Sequence, residues 1–484
     1  MELELAADME AVAGLSRMKA LTVCRDGRPR PQAVKIVWHD SPDHALLADG
    51  LTLAEQRGVR RVERVYPGAE TWLPAQPVPV VVDPAELPSP LAPLAAFEGR
   101  QTASVHRFGD QSVTMTIAKG ILRSVTAEQP AARIWLSGED EAVRAAAVLI
   151  AGAGVVAVPV ASLAAEGIAL ATGGSVARRH EGAPVLPDAA PSVVEALRHI
   201  MGHLIDVILA YAPLAVRPDS EGVTAVHQMR VAVRRARSAV SIFRNAVGEG
   251  ALDGVGDRLK DLGTQLGPTR DWDVFADETI PALLEALPDD ERLQRLSAAA
   301  SRRRQACRKA LAAYLDGPAF RLLGIELAWF ASSGGWDAPV AVVSEEAAAE
   351  LPTLVAFAGP VLQHRWKKLV SLGKRIEELD VPSLHGVRLR AKRARYATEM
   401  FATLHQGKAA NRFIHRLSVL QQRLGVLNDG AVATHLLAEL GGPSGRHAYA
   451  AGIVAGFMAA RAARIRPRIV QAFERFRRQP AFWG

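Results

Sequence analysis

The chain has 484 residues, 49% of them hydrophobic, with 58 Lys+Arg against 51 Asp+Glu, 13 His and a formal net charge of +7. That much apolar material can build more than one core, and the length favours two or three domains. Two cysteines, Cys24 and Cys307, exclude a disulfide framework and make the reducing cytoplasm the expected compartment.

The opening MELELAADME carries acids where a secretory leader would carry a basic segment followed by an apolar core, so no leader is expected. Residues 1–175 read as mixed α/β, with strand-like segments at 2–5, 34–38, 51–53, 113–117 and 134–136. Residues 145–165 hold no charge. They are dominated by Ala, Gly and Val, include Pro159, and divide into a helix-like half (145–149) and a strand-like half (155–160). So little Leu and Ile gives little insertion free energy, and no membrane partner is expected. Residues 173–192, GGSVARRHEGAPVLPDAAPS, have the Gly, Pro and small-residue content of a linker, placed at 176–192. Charge changes sign across it: residues 1–190 carry 18 Lys+Arg and 22 Asp+Glu, a net of −4, and residues 191–484 carry 40 and 29, a net of +11. The second half is therefore the one suited to an anionic partner.

From residue 193 to 484 the pattern is alanine-rich and helical, with Gly and Pro as punctuation and helix starts expected at Ser192, Thr269 and Ser383. Two stretches repeat at an unbroken offset of 158, within repeats of about 193–330 and 350–484. VHQMRVAVRRARSAVSIFR (226–244) aligns with LHGVRLRAKRARYATEMF (384–401), pairing His227 with His385, Arg230 with Arg388, Arg234 with Lys392, Arg235 with Arg393, Arg237 with Arg395 and Phe243 with Phe401. LGPTRDWDV (266–274) then falls on LGVLNDGAV (424–432). At 100° per residue His227, Arg230, Arg234 and Arg237 share a helical sector about 80° wide, as do His385, Arg388, Lys392 and Arg395. Like charges on one stripe repel, so a stripe present twice asks for a compensating anion or acidic neighbours.

H-x-x-R-x-x-x-R-R-x-R at 227 and H-x-x-R-x-x-x-K-R-x-R at 385, each followed by L-G-x-x-[RN]-D, resemble the CHAD family, the conserved-histidine α-helical domain, over residues 193–484. The resemblance implies an all-α domain of two pseudo-symmetric four-helix bundles. It also implies a basic cavity that binds inorganic polyphosphate and association with polyphosphate granules in bacteria. The polyphosphate-binding residues it implies are His227, Arg230, Arg234, Arg235, Arg237, His385, Arg388, Lys392, Arg393 and Arg395. Arginine suits such a ligand because its planar fork can take two phosphate oxygens and stays charged, while a nearby anion raises the pKa of histidine. Arg258 and Arg416, also matched at the 158 offset, and Arg365, Lys367 and Lys368 are candidate additional contacts. The run Arg302, Arg303, Arg304, Arg308 and Lys309 reads as a solvated helix face, and the tail 461–478, with seven arginines, as a basic terminal helix. Asp271 and Asp429 read as helix caps or as carboxylates that orient arginines. No metal site is expected, because His and acids are not clustered at ligand spacing.

The first half, through ELEL at the start, HDSPDHALLADGLTL (39–53) and GILRSVTAEQPAARIWLSGEDEAVRAAAVLI (120–150), resembles the CYTH family of triphosphate tunnel enzymes. That resemblance implies an α+β domain built on an eight-stranded antiparallel barrel that holds a triphosphate and a divalent metal. Departures from the family pattern point away from catalysis. Ala6 stands where E-x-E-x-K has its lysine, the strand at 51–57 lacks paired arginines, and ARIWLSG (132–138) lacks metal-binding carboxylates. No cofactor and no catalytic residue are expected. A triphosphate-processing enzyme is the alternative, and nucleic-acid binding a further one, disfavoured because Tyr396 alone among aromatics interleaves with the basic stripe. Protein partners have no signature in the sequence.

Overall fold

The computed structural model describes residues 2–10, 12–65, 79–80, 87–154, 156–158, 161–174, 182–186, 192–244, 246–247, 252, 254–332, 353–405 and 408–483. Of the expected linker, residues 176–181 and 187–191 lie outside these. The chain divides into two compact units. The first comprises Met1–His180, Ile205–Pro213 and Ala313–Trp336; the second comprises Glu181–Leu204, Leu214–Ala312 and Asp337–Gly484. The helical half expected to begin at residue 193 is thus shared between the units.

The first unit is built on one antiparallel sheet of nine strands: β1 (Glu2–Ala7), β2 (Arg25–Asp40), β3 (Leu51–Gln56), β4 (Val59–Arg64), β5 (Pro79–Val80), β6 (Ala92–Phe108), β7 (Gln111–Ser124), β8 (Glu128–Gly138) and β9 (Val156–Ala157), in the order β5-β4-β3-β2-β6-β7-β8-β1-β9. The segments expected at 2–5, 34–38, 51–53, 113–117 and 134–136 each lie inside one of these, whereas of the strand-like half at 155–160 only Val156–Ala157 is strand, with 155, 159 and 160 outside the described residues. Among the described residues the sheet stays open, so the closed eight-stranded barrel is not formed. Its described edges, β5 and β9, stand at opposite ends of the order and do not pair with each other. Three short helical segments, α1 (Val12–Leu15), α2 (Lys19–Val23) and α3 (Ala45–Ala48), lie between the early strands.

Period-two alternation gives the sheet two apolar faces. Leu3, Leu5, Met115, Ile134 and Leu136 pack with Val143, Ala147 and Ile150 of α4 (Asp140–Gly152) and Ile325 of α11 (Pro318–Ser332). Phe97, Ala118, Leu122 and Ala131, on the other parity, pack with Leu163 and Ala164 of α5 (Leu163–Thr172). Each such large side chain contributes about 1.5–3 kcal/mol when fully buried. Gly99 and Gly120 are register partners, and a Cβ on Gly99 would stand 2.1 Å from the Lys119 carbonyl oxygen, so only glycine fits between β6 and β7 there. The uncharged stretch at 145–165 contributes α4, buried against the sheet. No helix among the described residues is long and apolar enough to cross a membrane.

The helices after the linker are α6 (Val193–Ala215), α7 (Ser220–Phe243), α8 (Val255–Val274), α9 (Ile280–Ala286), α10 (Glu291–Leu315), α11, α12 (Leu354–Leu372), α13 (Val381–Phe401), α14 (Lys408–Glu439) and α15 (Ala448–Arg477). Moving α6, α7, α8 and α10 by 158 gives 351–373, 378–401, 413–432 and 449–473, which fall on α12, α13, α14 and α15. A full capping box of Ser192 and Glu195 starts α6 at the expected place. Thr269 does not start a helix. Instead α8 runs through Pro268, its buried Leu262, Leu266 and Trp272 outweighing the one backbone bond that proline removes. A π-helical turn, Phe275–Thr279, joins α8 to α9.

Within the second unit, Trp272, Phe275, Leu293, Leu436 and Val454 form one core, and Leu369, Leu384, Phe413, Leu420, Phe473 and Phe476 another. The repeat partners Phe243 and Phe401 meet with ring centroids 5.9 Å apart, which sets α7 against α13. The arginine run on α10 is not uniformly solvated. Arg304 Nε and Arg308 Nη2 donate to Asp273 Oδ1 at 2.7 and 2.8 Å, and Asp273 is fully buried. Arg302 and Lys309 are exposed, as expected for the run.

Candidate polyanion cavity

Between α7, α8, α13 and α14 lies a cavity of about 780 Å³. Side-chain caps fix the starts of the two basic helices: Asp219 accepts from the Gly222 N–H at 3.1 Å before α7, and Asp380 from the Ser383 N–H at 2.9 Å before α13. The stripes then face the same space. His227, Arg230, Arg234 and Arg235 line it from one repeat, and Arg388, Lys392 and Arg395 from the other. With Arg270, seven Lys and Arg stand against three carboxylates, Asp271, Glu278 and Asp429.

The L-G-x-x-[RN]-D motif supplies the opposite wall. A Cβ on Gly267 would stand 3.1 Å from Arg230 Nη1, closer than an ordinary contact, whereas one on its repeat partner Gly425 would stand 3.6 Å from Arg388 Nη1, an ordinary contact. Asp271, four residues after Gly267, lies 3.5 Å from Arg230 Nη2. Asp429, its repeat partner, is an electrostatic neighbour of Arg388. Both aspartates therefore act on arginines, one of the two roles expected, and neither caps a helix. The remaining motif position places Arg270 and Asn428 in the lining.

Four of the seven cations are already engaged: Arg230 by Asp271, Arg270 by Glu278 at 3.8 Å, and Arg235 and Arg395 by one glutamate. Glu399, on α13, accepts from Arg235 at 2.9 Å and from Arg395 at 2.6 Å, one arginine from each repeat, and Arg235 also donates to the Gly182 carbonyl at 2.8 Å. Arg234, Arg388 and Lys392 are different. None has a carboxylate within 4.0 Å among the described residues, and the Nε atoms of Arg234 and Arg388 are buried without an acceptor. Such groups cost free energy until something anionic reaches them.

The pKa values record the strain. Burial, then Arg388, Arg234 and Arg230, lower Lys392 to about 7. Partial withdrawal from water, then Arg270, Arg234, Arg230 and Arg235, lower His227 to about 4. The His227 ring still faces open space, so the arginines around it are the part of that shift an incoming anion would reverse. Burial raises Asp271 and Asp429 above the usual carboxylate range against the pull of the neighbouring arginines.

Eight residues expected to touch the ligand do not line this cavity: Arg237, His385, Arg393, Arg258, Arg416, Arg365, Lys367 and Lys368. His385 is exposed on α13, Arg393 points off the stripe, and Arg416 donates to the Arg475 carbonyl at 2.6 Å. Conversely, Arg270, Glu278, Gln421, Gln422 and Asn428 line the space without having been singled out. Arg270 and Asn428 were within reach, since the second repeated motif contains both.

In the first unit, Glu4 of the E-x-E strand is buried. Its carboxylate accepts from Arg133 Nε at 2.9 Å and from the Leu163 N–H at 3.0 Å, at the start of α5. Arg133 also pairs with Glu166. Glu4 is thus held by a cation and a helix terminus. Among the described residues no group of three His, Cys, Asp or Glu is placed to hold a metal ion.

A CHAD domain family model matches residues 199–438. The crystal structure of the CHAD domain from the plant Ricinus communis is similar at 30% identity with a TM-score of 0.52, covering 63% of this chain and 99% of that one. Two uncharacterized proteins of Mycobacterium tuberculosis, from strains CDC 1551 / Oshkosh and H37Rv, are each 28% identical over 265 residues, 52% of this chain and 47% of their own length. The chain therefore spans about half the length of the curated relatives it matches. With duplicated helices, repeated motifs and a solved domain matched almost end to end, the chain belongs to the CHAD family.

Proposed function

We propose that the cavity binds inorganic polyphosphate and that the protein associates with polyphosphate granules. The observation that carries this reading is the set of unpaired cations, Arg234, Arg388 and Lys392, drawn from both repeats into one space where two guanidinium Nε atoms lack acceptors. A chain with about one charge per phosphate and oxygens on every side can serve several of them at once, with bidentate contacts to arginine. Nucleic acid fits less well: of the two aromatic residues in the described lining, Phe275 is buried in the core, and Arg235 lies over Tyr396 at 5.9 Å. The test is the triple variant Arg234→Ala/Arg388→Ala/Lys392→Ala in the full chain. It should lose long-chain polyphosphate binding while keeping its helical circular dichroism, and retained binding would move the site elsewhere.

The N-terminal unit is proposed to be a CYTH-like scaffold without phosphoryl-transfer activity. The engagement of Glu4 by Arg133 and the α5 backbone supports this. Sustained release of phosphate from tripolyphosphate by the purified protein with Mg²⁺ or Mn²⁺ would overturn it.

A further inference from the structure

Several expected ligand residues miss the cavity, yet they gather at a second place. On α7, Arg230, Arg234, Arg237, Ser241 and Arg244 share one stripe about 80° wide at 100° per residue. Its first two arginines line the cavity, and the stripe continues beyond it for about 10 Å from Arg234 to Ser241 at 1.5 Å per residue. At Ser241 another helix arrives: Arg365 Nη2 of α12 lies 3.4 Å from Ser241 Oγ. Arg390 and Arg393 of α13 are electrostatic neighbours of Arg365, and Lys368 and Arg390 of His364. Burial and these cations lower the pKa of both Arg365 and His364.

This cluster is uncompensated. Some surface arginines on the helices have local acids, as in Arg295 with Glu291, Arg375 with Glu378 and Arg477 with Glu474. Arg237, Arg365, Lys368, Arg390 and Arg393 have no carboxylate within 4.0 Å among the described residues. Three helices thus bring one sign of charge together beside the same α7 stripe whose first two arginines line the cavity.

We propose that a condensed-phosphate chain seated in the cavity runs out along the α7 stripe onto this cluster, which makes the protein prefer long chains over short ones. The proposal rests on the polyphosphate reading of the cavity. An extended, flexible polyanion is the occupant favoured by continuity: one polymer can follow the stripe from an enclosed site to an exposed one, whereas a duplex or a bilayer could reach only the exposed part.

The test uses the full-length protein with tripolyphosphate and with long-chain polyphosphate, and the double variant Arg365→Ala/Arg393→Ala, whose residues lie outside the cavity lining. Tripolyphosphate affinity should stay within about twofold of the parent. Long-chain affinity should fall about tenfold, and its logarithmic salt slope should flatten by about 1–2, as expected for lost phosphate contacts. Equal weakening of both ligands, or no change in either, would overturn the proposal. So would a loss seen only with duplex DNA or with anionic phosphatidylserine vesicles. Arg234→Ala/Lys392→Ala should weaken both phosphates together. If that variant binds both normally, the cavity reading fails, whatever the outer pair does.

Discussion

Lys392 offers a sharp test of the cavity's electrostatics. With a pKa of about 7 in the empty cavity it is about half protonated at pH 7, whereas a phosphate chain beside it should return it toward the ordinary lysine value of about 10.4. Binding then takes up a proton, and the sign follows. Affinity is at its full value below pH 7 and declines as pH rises above it, until the pKa of the bound state is reached. For one such group the dissociation constant should rise about tenfold between pH 6 and pH 8, or about 1.4 kcal/mol. Calorimetric titration with long-chain polyphosphate in two buffers of different ionisation enthalpy should show uptake of about half a proton at pH 7 and about 0.9 at pH 8 from this group. Lys392→Arg, charged throughout, should bind with little pH dependence in that window. If the arginine variant keeps the parent's pH profile, or if no proton is taken up, Lys392 is not the titrating contact.

The two motif histidines should behave differently. His227→Ala should weaken polyphosphate binding more at pH 5.5 than at pH 8, because an anion raises its lowered pKa and protonation then adds charge, while His385→Ala should leave binding within about twofold at both. Asp273→Asn should cost about 3–5 kcal/mol in urea denaturation by leaving Arg308 and the partly buried Arg304 short of their shared carboxylate, and an unchanged midpoint would show that the triad is not structural. Glu4→Gln should lower the thermal midpoint by leaving the buried Arg133 with Glu166 as its remaining carboxylate, with polyphosphate binding preserved in the folded protein below that temperature.

Much of the helical half was legible because duplication leaves its mark at every level. The 158-residue offset found in the basic stripes also relates α6, α8 and α10 to their later counterparts. Stripe geometry put His227, Arg230, Arg234, Arg388, Lys392 and Arg395 on faces that line the cavity. It failed where the two copies are unequal: His227 reaches the cavity and His385 does not, and Arg270 has only Asn428 as its partner. The closeness of Gly267 to Arg230 was hidden because room for a guanidinium is a property of two packed helices rather than of either alone. In the first half, alternation revealed short strands but not β6, whose small and polar residues give weak periodicity over 17 positions. Nor could it show that the sheet stays open, since that depends on which edges meet.

Competition between phosphate polymers is the most direct measurement: binding of the full-length protein to long-chain polyphosphate, titrated against salt, with double-stranded DNA present in excess at matched phosphate concentration. Binding that survives the DNA, weakens steeply with salt and disappears in the Arg234→Ala/Arg388→Ala/Lys392→Ala variant is the expected result. Equal displacement by either polymer, with the variant indistinguishable from the parent, would reduce the site to general electrostatics and contradict a dedicated polyphosphate cavity.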